Sequence, residues 1–354
     1  MITALACLIA FFFAMNIGAS GAAASMGVAY GTGAVTSRKK ALFLCGIGVF
    51  LGAALGGSHV AETLGSEVVP EEIITIPVAL MILVSASLSL FLANLSGIPL
   101  STSEVTVGAV TGVGIAYNAL HIDTLMVIVL CWILVPILGF SLAIAANKWI
   151  NVAERKLPFL EKRKSFKAIA AIVVLIGFLE AISAGMNNVA NAVSPLIASG
   201  VIGLDQGIIA GGLIIALGAF VLGARVMETN GKKITKLSLL QGGAVSGIGA
   251  SIVITASFFG IPVPHTQITT SSILGIAVSD QGKEIWRSSI VTKLLKTWVL
   301  SPFFSLVISY SLVKFSLGWD WTGAALVLLL SGMIFILGWW EPLTKTQPLL
   351  KRRY

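Results

Sequence analysis

Apolar runs of membrane-spanning length dominate the chain, at about 2–35, 41–57, 73–95, 98–117, 123–147, 168–200, 207–224, 237–259, 261–279, 294–313 and 322–340. A helix rising 1.5 Å per residue needs about 20 apolar residues to cross the hydrocarbon core. The pattern therefore predicts an all-α polytopic membrane protein of about eleven spans. Two runs are unusual inside. Gly18-Ala19-Ser20-Gly21-Ala22-Ala23-Ala24-Ser25 and Gly185-Met186-Asn187-Asn188-Val189-Ala190-Asn191-Ala192 carry small and amide side chains where Leu, Ile and Phe are expected. Such a run lets the helix unwind, or lets another backbone approach closely. Irregular backbone at membrane depth survives only against protein or a water-lined cavity. Two broken helices in matching positions of two halves point to a transporter's substrate site.

The stretch from Asn151 to Lys164 is the only long hydrophilic linker, and it divides the chain. The reading is repeat 1 over residues 1–150 (spans 1–5), a basic linker over 151–166, repeat 2 over 167–318 (spans 6–10), and an extra C-terminal span with a basic tail over 319–354. Gly18 pairs with Gly185 at an offset of 167, and Gly97-Ile98-Pro99-Leu100 pairs with Gly260-Ile261-Pro262-Val263 at an offset of 163. Five spans separate the repeat starts. An odd number turns the halves opposite ways, so the repeats are expected to be inverted.

Charge orients this picture. With the N-terminus outside and every run crossing, the inner loops hold Arg38 to Lys40, Lys148 to Lys167, Arg225 to Lys236, Lys283 to Lys296 and the tail, and only Lys314 of the 23 basic residues falls outside. That arrangement obeys the positive-inside rule and puts the C-terminus in the cytoplasm. If the 98–117 and 261–279 runs were hairpins, part of this agreement would be lost. The formal charge of +8 sits in short loops rather than a stripe, which argues against nucleic acid as a partner. The first 25 residues resemble a signal peptide but lack a basic n-region, and their small residues recur later, so they are read as a retained first span. Cys7, Cys45 and Cys131 lie inside apolar runs without metal-ligand spacing, and no metal or cofactor is expected.

The Gly-Ile-Pro motifs should break their helices at Pro99 and at Pro262 with Pro264. Ser101-Thr102-Ser103 and His265-Thr266-Gln267 then open new helical runs, where hydroxyls cap and free amides carry positive partial charge. Four interrupted helices could thus aim amides and hydroxyls at one point, an anion site without buried Lys or Arg. On the plainer reading the small residues only pack helices, and the Ser and Thr only bond their own backbone.

The two signatures are similar to the paired Gly-Ala-Asn-Asp-Val-Ala-Asn-Ala sequences of the inorganic phosphate transporter family. Gly97-Ile98-Pro99-Leu100-Ser101-Thr102-Ser103 resembles that family's Gly-Leu-Pro-Val-Ser-Thr-Thr-His. The resemblance covers nearly the whole chain and implies two inverted repeats with the anion held between signature helices and half-helices. It implies substrate contacts at Ser20, Gly21, Ala22, Asn187, Asn188 and Asn191, and at Ser101, Thr102, Ser103, His265, Thr266 and Gln267. The departures are informative. The family's Asp is Gly21 in one copy and Asn188 in the other. Phosphate near neutral pH keeps a hydroxyl that wants an acceptor, whereas sulfate is all acceptor and a carboxylate beside it would repel. Sodium has also lost its carboxylate ligands. The chain therefore resembles the bacterial sulfate permease branch, in the cell membrane, with sulfate and protons as partners and a homodimer as the assembly to test.

Glu104 is the carboxylate that remains near the half-helices, and Glu180, seven residues before Asn187, is the second proton-coupling candidate. A carboxylate at membrane depth is costly when ionised and is functional by default. His265 follows Pro264 directly and could cap or line the cavity. Bringing a dianion into a cell at −100 mV costs about 4.6 kcal/mol, since each charge costs roughly 2.3. Two co-transported cations make the step electroneutral, and three let the potential help. Other readings are a phosphate symporter, a channel, or a rhomboid-like serine protease built on Gly18-Ala19-Ser20-Gly21 with His265 as base.

Overall fold

A computed structural model describes residues 1–95, 101–157 and 163–318, together with Trp321, Ala325, Leu328, Leu329 and Gly332. Of the expectations above, Gly97 to Leu100, the middle of the linker, and nearly all of the C-terminal span with its tail lie outside the described residues.

Every described element is helical. Helix α1 (Ile2–Ile17) continues through a π-helical turn, Gly18–Ala22, and short α turns at Ala23–Ser25 and Gly27–Gly31. Helix α2 (Arg38–Glu62) ends in a second π turn, Thr63–Glu67. Helices α3 (Ile76–Leu95), α4 (Thr102–Tyr117) and α5 (Ile122–Lys156) complete the first half. The second holds α6 (Arg163–Ala198), α7 (Leu204–Leu222), α8 (Leu239–Phe258), α9 (His265–Gln281) and α10 (Ser289–Gly318). Among the described residues, 7 helical stretches, in α1, α2, α5, α6, α7, α8 and α10, are long and apolar enough to cross a membrane. Exposed Leu130, Ile133, Leu134, Ile137 and Leu138 give α5 a wide apolar outer face, as lipid contact requires.

Helices α4 and α9 are different. With 16 and 17 residues they reach only about 24–26 Å, short of the roughly 30 Å hydrocarbon core. They are also wrapped by protein: Thr102 to Gly114 and His265 to Ala277 are buried without exception. The described parts of the 98–117 and 261–279 runs, α4 and α9, are thus short internal helices rather than full-length lipid-facing spans. The break before α9 is local: Gly260 takes the left-handed conformation (φ +69) and Pro264 caps the new helix.

The signatures are less interrupted than expected. Gly18–Ala22 winds as a π turn rather than unwinding, and Gly185 to Ala192 lies inside the unbroken α6. Of the four expected interruptions, the second signature shows none, the first is a π turn, and the one at Pro99 lies outside the described residues. The physical reason is that the small residues serve close approach instead of a break. A Cβ on Gly18 would overlap the Ile215 carbonyl of α7, and one on Gly185 would overlap the Val49 carbonyl of α2. Contacts from Met15 to Gly218 and from Ala23 to Gly223 run α1 and α7 in the same direction. Contacts from Gly48 to Ala181 and from Gly57 to Val189 do the same for α2 and α6.

The half-helices repeat this exchange. Gly108 and Gly112 of α4 lie against Pro302 and Leu306 of α10, while Gly139 and Phe140 of α5 lie against Ile268 and Gly275 of α9. Each half therefore packs its signature helix and its half-helix along helices of the other half. At one end of α2, Arg38 pairs with Glu228 at 3.2 Å, and Lys232 sits 3.9 Å over the Tyr30 ring. At the opposite end, the His121 amide donates to the Val68 carbonyl at 3.0 Å.

Candidate functional site

The half-helix starts meet the signature helices at a core in which Ser20, Thr102, Ser103, Asn187, Asn188, Asn191, His265, Thr266 and Gln267 are all at most 3% exposed. Gly21 is buried there too. The expected substrate residues are thus brought together, and they are sealed from both faces.

On the side of the second signature most polar groups bond one another, Asn188 Nδ2 and Asn191 Oδ1 excepted. Asn187 donates to Ser103 Oγ (3.0 Å) and to the Val263 carbonyl (2.9 Å), and its Oδ1 accepts from the Val263 amide (3.1 Å). That pair of bonds clamps the linker before α9, whose neighbouring Pro262 carbonyl accepts from the Trp132 indole at 3.1 Å. Thr102 donates to Asn188 Oδ1 (2.7 Å), and Asn191 donates to Thr102 and Ser103 (3.2 and 3.3 Å). Helix α4 is thereby fixed onto α6.

The side of the first signature is built from Ser20, Gly21 and Ala24 instead, and it leaves donors over. The equivalent of Thr102 is His265, which lies against the Gly21 backbone. Buried Asn188 Nδ2, Thr266 Oγ1 and both His265 ring nitrogens have no well-formed hydrogen bond. A Cβ on Gly21 would come 3.1 Å from Asn188 Nδ2 and 3.7 Å from Thr266 Cγ2. Gly21 is thus packed closely against these unpaired donors and brings no side chain of its own to them. A buried donor without a partner costs about 1–3 kcal/mol, so a ligand that accepts from it is favoured. The first amides of α4 and α9, free by the geometry of a helix start, add positive partial charge.

Two expected contacts have other roles. Ser101 is the N-cap of α4, its Oγ accepting from the Glu104 amide at 3.4 Å. The Ala22 carbonyl, released by the π turn, is taken by Ser25 Oγ (2.7 Å) and Cys45 Sγ (3.0 Å). Cys45 is therefore a hydrogen-bonding partner as well as a small core residue.

Both carboxylates are buried against α9. Glu104 Oε1 accepts from Gln267 Nε2 at 2.6 Å, and Glu180 Oε1 accepts from Thr269 Oγ1 at 2.6 Å. His265 Nε2 stands 3.9 Å from Glu180 Oε1. Thr269 was not singled out by the sequence reading, although its spacing of four from His265 puts both on one helix face. A second missed cluster holds the far end of α9: Asp280 accepts from Asn147 (2.6 Å), Gln241 (2.8 Å) and Asn151 (3.2 Å). Among the described residues no group of three or more His, Cys, Asp or Glu could hold a metal ion.

The model of the phosphate transporter family matches residues 17–309. Sulfate permease CysP of Bacillus subtilis (strain 168) is 51% identical over 317 residues, covering 89% of this chain and 88% of its own length. A putative phosphate permease of Pyrococcus furiosus is 27% identical, over 83% of this chain and 91% of its own. A solved structure, "The sodium-dependent phosphate transporter", superposes with a TM-score of 0.79 at 25% identity, over 89% of this chain and 98% of that one.

Proposed function

The chain belongs to the phosphate transporter family, and from that premise we propose that it carries sulfate inward across the bacterial cell membrane together with protons. One observation carries the choice of anion. Beside the unpaired donors of Asn188 and Thr266 lies Gly21, which has no side chain, and Asn188 is itself an amide, so neither signature offers a carboxylate to a bound anion. An oxyanion with no hydrogen to donate fits donors alone, whereas a protonated phosphate needs an acceptor. The likeness to a protein named as a sulfate permease supports the same choice over phosphate. The protease reading gains no support from relatives named as permeases and transporters.

The reciprocal packing of α1 with α7 and of α2 with α6 supports two inverted halves, because only oppositely oriented repeats make these swapped pairs run parallel. The joining of Arg38 to Glu228 at one end of α2, and of His121 to Val68 at the other, supports an arrangement with the basic loops inside. The sealed core corresponds to an occluded state, from which rocking of one half against the other would open each face in turn. Glu104 carries a proton: neutral, it tolerates the dianion nearby, and ionised, it favours release.

The test is radiolabelled sulfate uptake into proteoliposomes, with excess phosphate as competitor and sodium present or absent. Uptake that resists phosphate, ignores sodium and collapses with a protonophore is expected. Equal competition by phosphate, or dependence on sodium, would overturn the reading.

A further inference from the structure

The sequence reading treats Glu180 as a substitute for Glu104, yet the structure keeps the two apart. On α9, Gln267 sits about 200° around the helix from His265, while Thr269 shares the His265 face. Glu104 is held by Gln267 and Glu180 by Thr269, so the carboxylates flank α9 on different faces. Each has its own element behind it, α4 for Glu104 and α6 for Glu180.

The Glu180 pocket is a built site. Glu180 and Thr269 are fully buried and His265 is 2% exposed. Gly249 of α8 closes the pocket without a side chain, and a Cβ there would come 3.0 Å from Glu180 Oε1. Ser246 of α8 stands beside the Glu180 carboxylate and the Gly21 backbone beside the His265 ring, but neither Glu180 Oε2 nor the ring nitrogens have a well-aligned partner. Among the described residues the titratable groups recorded against Glu180 are His265 on α9 at 3.9 Å and Cys45 on α2, neither of them a Lys or Arg. A carboxylate and an imidazole 3.9 Å apart can share one added proton between them. His265 also lies against Gly21, so its ring connects this pocket to the anion space.

We propose that Glu180 and His265 form a second proton site, separate from Glu104, so that two protons accompany each sulfate. The inference rests on the reading of the chain as a proton-coupled sulfate carrier. Glu180 takes one proton from the outer side as its carboxylate becomes a carboxylic acid, and Glu104 takes the other. Both are released inside with the anion. Two protons and one dianion carry no net charge, so the cycle works without opposition from the membrane potential.

The experiment measures protons moved per sulfate in proteoliposomes whose potential is clamped with potassium and valinomycin. The wild type should move two and be indifferent to an inside-negative potential. Glu180→Gln should keep sulfate exchange, move one, and be slowed by that potential. A wild-type ratio of one, or a Glu180→Gln ratio of two, would overturn the second site while leaving sulfate–proton coupling intact. Sulfate uptake with no proton movement would instead overturn the reading beneath it. Should Glu180→Gln not exchange sulfate, His265→Gln replaces it. Loss of the imidazole should shift the pH profile of uptake, and an unmoved profile overturns the inference.

Discussion

Glu104 and Gln267 occupy the same place in the two half-helix motifs, 163 positions apart, and their side chains meet at 2.6 Å. The one carboxylate in the motif is therefore hydrogen-bonded to its own counterpart, and any change in its charge is felt by both half-helices at once. A neutral Glu104 can form the same amide–carboxyl contact with Gln267 without holding a charge in a buried place, whereas an ionised one depends on that single donor.

From this pairing, Glu104→Gln should preserve sulfate exchange and lose the share of accumulation that its proton drives. One pH unit is about 1.4 kcal/mol per proton, or tenfold. Under a one-unit gradient at zero potential, sulfate accumulation should therefore fall at least tenfold in the variant. Wild-type uptake should rise as external pH falls, since protons enter with the anion. The double exchange of Glu104→Gln with Gln267→Glu should restore part of the accumulation, because it moves the carboxylate to the other member of the pair. Accumulation unchanged in Glu104→Gln would remove this residue from the coupling.

The glycines of the swapped helix pairs should prove intolerant. A methyl on Gly52 would overlap the Ile182 backbone, and one on Gly185 the Val49 backbone. Neither neighbour is a flexible side chain that could swing aside. Overpacking of this kind costs about 1–3 kcal/mol, and Gly52→Ala or Gly185→Ala should lower the thermal midpoint in detergent. Gly203→Ala, which meets nothing within 4 Å, is the control.

What the sequence made legible follows from which signals are local. Apolar length revealed the long helices, and Pro262 with Pro264 marked the start of α9, because a missing amide interrupts a helix wherever it falls. The signatures misled on conformation: Gly, Ala and Ser suit both a break and a close contact, and only the neighbouring backbones of Ile215 and Val49 decide between them. The central residues were legible as a repeated pattern. The division of labour between them was not. That Asn191 binds Thr102 and Ser103 while Thr266 is left unpaired depends on α4 and α6 meeting across 89 positions of sequence. Asp280 was missed because its partners Asn147 and Gln241 lie in other helices and leave no local periodicity.

Restoring carboxylates should reverse the anion preference. Asn188→Asp replaces an unpaired donor with a negative oxygen, and Gly21→Asp brings one against the Asn188 amide, which must give way by a few tenths of an ångström. Two unit charges 4 Å apart at an effective dielectric of 20 repel by about 4 kcal/mol. Sulfate binding, measured by isothermal titration in detergent, should weaken at least a hundredfold in either variant. Any gain in binding should be seen with phosphate, whose hydroxyl can donate to the new acceptor. Sulfate affinity within threefold of wild type in both variants would place the anion elsewhere.

The two half-helix threonines separate binding from architecture. Thr102 donates to Asn188 Oδ1 at 2.7 Å and accepts from Asn191 at 3.2 Å, so its hydroxyl belongs to the seam between α4 and α6. Thr266 is as deeply buried, at 1% exposure, yet its hydroxyl has no partner. Valine keeps the shape of threonine and removes the hydroxyl in both cases. Thr102→Val takes the short donor from Asn188 Oδ1, which keeps only a 3.5 Å contact from Asn187, and one of two acceptors from Asn191, which still reaches Ser103. A weakened buried amide oxygen costs about 1–3 kcal/mol, and the variant should lower thermal stability with a smaller effect on affinity. Thr266→Val removes a group already unsatisfied, and should leave the unliganded protein as stable as wild type or more so. Its cost should appear on binding instead: a hydrogen bond to a charged ligand contributes about 1.5–3 kcal/mol, or roughly ten- to hundredfold in the sulfate dissociation constant. Melting curves with and without sulfate measure both quantities on one sample. The sulfate-induced rise in midpoint should shrink in Thr266→Val while its unliganded midpoint holds. If Thr266→Val keeps the full sulfate-induced rise, its hydroxyl does not face the anion, and Gly21 and Asn188 lose their nearest partner in the proposed site.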